Sequence, residues 1–174
     1  MKTIVKEEKI YNFEELEKET QERLIKEKKE SFEDTYIEHS LLGDMKDFAK
    51  ELLKKYFGEK AEFKDVLYDL SYCQGSGAMI EFDLAYYNKF VEVRNFGNYM
   101  HENSFIVVGV SPANNCDLTE KQEKKLKEKI YKMNCELKNY GYSQIEYWWE
   151  ADEEAIEDLK EYEFYKNGEI YWGC

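Results

Sequence analysis

The feature that most limits the fold of this chain is a change of hydrophobic period, from helical to extended and back again. Phe13, Leu16 and Leu24, with Thr20 between them, form one stripe at helical spacing; Ile37, Leu41, Met45, Phe48, Leu52 and Tyr56 form a second. Stripes of this kind mark amphipathic helices that bury one face and wet the other. Asn12 followed by Glu15 has the spacing of a capping box, which predicts a first helix from about Phe13, preceded by a short strand within residues 3–11. The second helix is expected over about Tyr36 to Tyr56, with Gly58 placed to end it.

From residue 63 the period becomes two. Val66, Tyr68, Leu70 and Tyr72 alternate with Leu67, Asp69, Ser71 and Cys73, and after Gln74-Gly75-Ser76-Gly77 the residues Ile80, Phe82 and Leu84 alternate with Glu81 and Asp83. Alternation on both sides of a glycine-rich turn predicts a β-hairpin whose glycines supply positive φ. Phe90–Phe96 and Ser104–Val110 read as two more strands, which makes a four-stranded antiparallel meander, and Pro112 closes the region. Helical spacing then returns, with Asp117 or Thr119 as cap and Leu118, Leu126, Ile130, Met133 and Leu137 as stripe, to about Asn139. Shorter helical pieces are expected from Ser143 and over Asp152–Glu161. Tyr162 and Phe164 face Ile170 and Trp172 across Asn167-Gly168, a strong hairpin signal. The expected architecture is α+β, a single domain over 1–174: a four-stranded antiparallel sheet packed by amphipathic helices, with a C-terminal β-hairpin.

Charge bears on function more than any single residue. Asp and Glu number 38 against 25 Lys and Arg, a formal net charge of −13, while 16% of residues are aromatic. That aromatic content excludes a disordered chain, and the charge disfavours direct binding to nucleic acid or an anionic membrane. Residues 1–9 are charged and no run approaches a membrane span, so no exported leader and a cytoplasmic location are expected. Cys73, Cys116, Cys135 and Cys174 form no C-x-x-C pair, and His39 and His101 are the only histidines, so no zinc site is expected; free thiols are expected, with no metal and no cofactor.

The acidity is patterned. Within 146–169 the acidic residues are Glu146, Glu150, Asp152, Glu153, Glu154, Glu157, Asp158, Glu161, Glu163 and Glu169, against Lys160 and Lys166. Tyr147, Trp148, Trp149, Tyr162 and Tyr165 are interleaved with them, while the preceding helix is rich in lysine from Lys121 to Lys138. Carboxylates with aromatic anchors suit a basic protein groove that normally grips phosphates. Glu146, Trp148, Trp149, Glu150, Asp152, Glu153, Glu154, Glu157, Asp158 and Glu161 are therefore the candidate partner-binding residues; a solvated face over an aromatic core is the plainer alternative.

Catalytic candidates are weaker. Asp69, Glu81 and Asp83 lie on paired strands and would suit a divalent cation, as in a metal-dependent nuclease or hydrolase, if the register gathers them. Cys73 or Ser76 as nucleophile would need His101 as base. The segment is no phosphate loop, because it lacks the following Lys-Ser/Thr and leads into a strand.

Several short motifs spread along the chain resemble a family of small phage and prophage proteins. They are Tyr11-Asn12-Phe13-Glu14-Glu15-Leu16, the Tyr68-x-Leu70-Ser71-Tyr72-Cys73-Gln74-Gly75-x-Gly77 hairpin, Arg94 with Tyr99-Met100-His101, and Tyr162-Glu163-Phe164-x-x-x-Gly168-Glu169-x-Tyr171. The family usually carries Asp where this chain has Ser76. The resemblance implies a phage origin and no reaction. Small acidic phage proteins often inhibit host defence, so it implies an anti-CRISPR-like or anti-restriction inhibitor acting in the bacterial cytoplasm. Its target would be a host protein with a basic nucleic-acid-binding groove, such as a CRISPR effector nuclease. A regulatory phage protein without mimicry is the remaining alternative; the sequence does not specify an oligomeric state.

Overall fold

The structure, a computed structural model, describes residues 8–97, 100–109 and 118–173. The chain divides into two compact units, one of Met1–Tyr36 with Ile145–Cys174 and one of Ile37–Gln144. Both boundaries fall inside helices, α1 (Lys18–His39) and α3 (Glu120–Trp149), where a sequence carries no linker signal. The expected α+β class is what the structure shows: a four-stranded antiparallel sheet with helices, and a separate two-stranded pairing near the termini. Pro112, Cys116, Asp117 and Cys174, on which parts of the sequence reading rest, lie outside the described residues.

In the central unit, α2 (Leu41–Phe57) precedes strands β2 (Ala61–Asp69), β3 (Gly77–Tyr86), β4 (Lys89–Asn95) and β5 (Phe105–Gly109), which pair in that order. The period-two residues of β3 and β4 behave as the pattern requires, but the first run ends early: Leu70 and Tyr72 lie beyond β2, and Tyr72 is 51% exposed. Ile80, Phe82 and Leu84 of β3 and Val91 and Val93 of β4 are buried, whereas Glu81 and Asp83 remain half-exposed. The helices cover the apolar face: Phe57 meets Phe82 with ring centroids 5.4 Å apart, and Phe48 of α2 stacks on Tyr140 of α3 at 4.1 Å. No helix among the described residues is long and apolar enough to cross a membrane.

Helix α3 departs from expectation at its end. It continues through Gly141 and Ser143 to Trp149 instead of stopping near Asn139. Gly141 is there for packing: a Cβ at this position would lie 2.6 Å from Leu70 Cδ1 and 2.9 Å from Met45 Sδ. A glycine that admits neighbouring side chains has the same sequence signature as one that ends a helix.

In the terminal unit, β1 (Tyr11–Asn12) pairs antiparallel with β6 (Glu163–Phe164), and Phe164 also bridges to Ile170 around the Asn167-Gly168 turn. The core is Phe13, Leu16, Leu24, Leu159 and Phe164, flanked by Tyr11, Ile25, Ile156, Tyr162 and Ile170. The capping box forms as predicted, with the Asn12 N–H donating to Glu15 Oε2 at 2.9 Å, but it closes a single 3-10 turn and α1 starts at Lys18. The Gln21 side-chain amide holds the break, donating to the carbonyl oxygens of Leu16 at 2.9 Å and Glu14 at 3.3 Å. Within the first part of α1 only Leu24 is buried, and Lys18–Glu22, Arg23–Glu27 and Lys26–Glu30 pair along its wet face.

Candidate interaction surface

Helix α4 (Asp152–Leu159) forms because Ala151, Ala155 and Leu159 recur at four-residue spacing and all three are buried. Ile156 also packs against the core, and the other positions carry the acidic run. Asp152, Glu153 and Glu154 occupy the first turn, where the exposed N–H groups of the helix favour negative charge. Part of the acidity therefore stabilises the helix.

Tertiary pairing absorbs another part. Lys29 of α1 bonds to Asp152 and to the Trp149 carbonyl, and Lys28 meets Asp158 at 2.6 Å while lying over the rings of Phe32 and Tyr162. Glu154 accepts the Tyr147 hydroxyl at 2.6 Å; that bond lowers the Glu154 carboxyl and raises the Tyr147 phenol relative to their ordinary values. Trp148 is a packing residue, with ring centroids 5.7 Å from Phe32 and 5.9 Å from Tyr36.

Subtracting these leaves a smaller set. Glu146, Glu150, Glu153, Glu157, Glu161 and Glu163 are exposed and make no ion pair among the described residues. Glu153 precedes Glu157 by four positions within α4, so these two like charges share a helical face, which costs an isolated helix a few tenths of a kcal/mol, whereas Glu150 lies in the bend between α3 and α4. Trp149 is 46% exposed and Tyr147 53%. Trp172, read from the sequence only as a strand residue, is 81% exposed and is the most open large apolar side chain described.

The central unit holds the other candidates and does not gather them. Asp69 stands opposite Gly77, Glu81 opposite Asp65, and Asp83 opposite Glu62. Asp69 is thus four β3 positions from Glu81, about 13 Å along the sheet. Each carboxylate is otherwise engaged. Asp69 Oδ1 accepts the Ser71 N–H at 3.0 Å and hydroxyl at 2.6 Å, and Glu81 Oε1 accepts the Asn95 N–H at 2.8 Å. Asp83 meets Lys64 Nζ at 2.7 Å, and Lys64 also meets Glu92 at 2.8 Å. These contacts, with Asp83 first, hold Lys64 above its ordinary pKa and pull Glu92 below its own. Among the described residues no group of three or more His, Cys, Asp or Glu is arranged to hold a metal ion.

The 70–76 turn is built differently from the sequence expectation. Its left-handed residue is Tyr72, at φ 56°, whereas Gly75 and Gly77 are not among the positive-φ glycines. Gly77 is needed for space: a Cβ there would collide with the Met100 carbonyl oxygen and lie 2.7 Å from His101 Cα. His101 is thus placed beside the turn by its backbone. Cys73 and Cys135 are free thiols. Cys73 Sγ accepts hydrogen bonds from Ser76 Oγ at 3.5 Å and the Gly75 N–H at 3.3 Å and lies 3.3 Å from Ser71 Oγ, whose one proton is shared with Asp69; these groups, Ser71 foremost, lower the thiol pKa.

No protein-family model, curated protein or solved structure matches this chain.

Proposed function

We propose that this protein binds a macromolecular partner bearing a basic, phosphate-gripping groove, through the acidic surface at the end of α3 and along α4. On the resemblance of its short motifs to small phage proteins, the binding would inhibit a host-defence protein that handles nucleic acid, such as a CRISPR effector nuclease. The observation that carries this reading is the residue set left after internal pairing. Glu146, Glu150, Glu153, Glu157 and Glu161 remain exposed without a counter-ion among the described residues, beside the open rings of Tyr147 and Trp149. Carboxylates that repel one another, as Glu153 and Glu157 do along α4, and that make no ion pair among the described residues are available to a partner outside the fold.

The test is a capture experiment with the intact protein as bait at low and high salt, beside the variant Glu150→Gln, Glu153→Gln, Glu157→Gln, Glu161→Gln. A basic nucleic-acid-binding protein retained at low salt, lost above about 0.5 M, and held at least roughly tenfold less by the variant supports the assignment. A partner retained equally by both forms and at both salts overturns it.

A further inference from the structure

The β3–β4 hairpin turns through Tyr87 and Asn88, which adopt φ 49° and 60°. Two consecutive left-handed residues make the tight turn that suits antiparallel strands, and Asn or Gly is preferred there; an aromatic side chain at such a φ is strained. The Tyr87 side chain is nevertheless 60% exposed and its ring meets Tyr86 edge-on with centroids 4.6 Å apart, so burial in the core does not offset that strain. An unfavourable backbone carrying an open aromatic ring points to a use outside the fold.

Beside this turn, wholly within the central unit, lies a cleft of about 730 Å³ lined chiefly by Tyr56, Phe57, Lys60, Tyr86, Tyr87 and Lys129. Its described lining holds four aromatic rings and two ammonium groups and no carboxylate, in a chain whose acidic residues outnumber its basic ones 38 to 25. Lys129 lies 4.7 Å from the Phe57 ring centroid, donates to the Tyr56 carbonyl and makes no ion pair among the described residues. Lys60 makes no ion pair among the described residues. Lys125 and Lys132, four before and three after Lys129 on α3, are likewise exposed and unpaired among the described residues, while Glu136, next on that face, is held by Lys55 at 2.6 Å and the Tyr56 hydroxyl at 2.7 Å.

Aromatic faces take a flat ring, and ammonium groups take a phosphate. We propose that this cleft binds a mononucleotide, with its base against the Tyr86–Tyr87 pair and its phosphate between Lys60 and Lys129. The volume lies within the range of small-ligand sites. The net charge selects a small anion over a strand. At physiological salt, fields decay over about 8 Å, so a nucleotide feels the local lysines while a long polyanion also meets the acidic remainder of the chain.

The test is titration of the isotopically labelled full chain with AMP, GMP, CMP and UMP, followed by NMR. Adenosine, inorganic phosphate and a 12-nucleotide single strand serve as comparisons. The expected result is saturable shifts at residues 56–60, 84–88 and 129 with a nucleotide. Adenosine and phosphate should each bind at least about tenfold more weakly, and Tyr87→Ser and Lys60→Gln should each weaken binding by roughly tenfold. Both side chains are exposed, so these variants leave the fold intact, and Lys129→Gln supplies a third. Absence of binding at millimolar nucleotide, shifts confined to other residues, equal affinity for adenosine, or affinity unchanged in Tyr87→Ser and Lys60→Gln overturns the site. Tighter binding of the 12-mer than of any mononucleotide overturns the choice of ligand. The glutamine variant of the acidic surface touches none of these residues and should bind nucleotide as the native chain does.

Discussion

Asn134, fully buried on α3, accepts the backbone N–H of Ile80 at 3.2 Å through its side-chain oxygen and donates to the Glu102 carbonyl oxygen at 3.1 Å. Strand β4 pairs with β3 only from Phe82 to Tyr86, so Ile80 lies two residues past the last rung on that side. One side chain serves the sheet there and ties down the 100–104 segment, where Lys138 also meets Glu102. Asn134→Leu should leave a buried donor and a buried acceptor unpaired and cost about 2–4 kcal/mol. Urea denaturation against the exposed control Asn139→Ala, expected within about 0.5 kcal/mol of the native chain, measures this.

Gly77 is the tightest backbone approach in the sheet region. Its Cβ would strike backbone atoms of Met100 and His101, which cannot rotate away as a side chain could. Gly77→Ala should therefore destabilise by roughly 1–3 kcal/mol, despite alanine's lower unfolded-state entropy. Thermal unfolding should show the loss, and amide shifts at 100–104 should locate it.

Lys64 sits between Asp83 and Glu92, which face each other directly across β3 and β4. Lys64→Met should expose that like-charge pair and cost about 0.5–1 kcal/mol near neutral pH, a modest value because the groups are partly exposed. The sign with pH follows from the shifts. Glu92 is depressed, so its contribution is present above its unfolded pKa and fades as pH falls through its folded one. Lys64 is raised, so its contribution is complete below its unfolded pKa and fades as pH rises through its folded one. The native-minus-variant difference should be flat from about pH 5 to 9 and shrink outside that window. A difference that grows in acid would contradict the pairing.

Trp148 and Trp149 are neighbours with opposite expectations. Trp148 packs on Phe32 and Tyr36, so Trp148→Ala should cost about 2 kcal/mol. Trp149 is substantially open, so Trp149→Ala should change stability less and partner capture more. Paired denaturation and capture measurements separate the two roles.

The sequence by itself determined the α+β class, the meander and the inward set Ile80, Phe82 and Leu84, because period and turn chemistry act within a few residues. It also located the acidic run of 146–163. Tertiary structure alone decided which of those carboxylates stay unpaired: Lys29 reaches Asp152 across 123 positions, and no local pattern encodes such a partner. Likewise only packing around Leu70 and Met45 shows that Gly141 continues a helix. The lysine-lined cleft joins three distant segments, around Tyr56, Tyr86 and Lys129. Local sterics fix each element, whereas charge pairing and cavities depend on which elements meet, and that is a property of the folded chain.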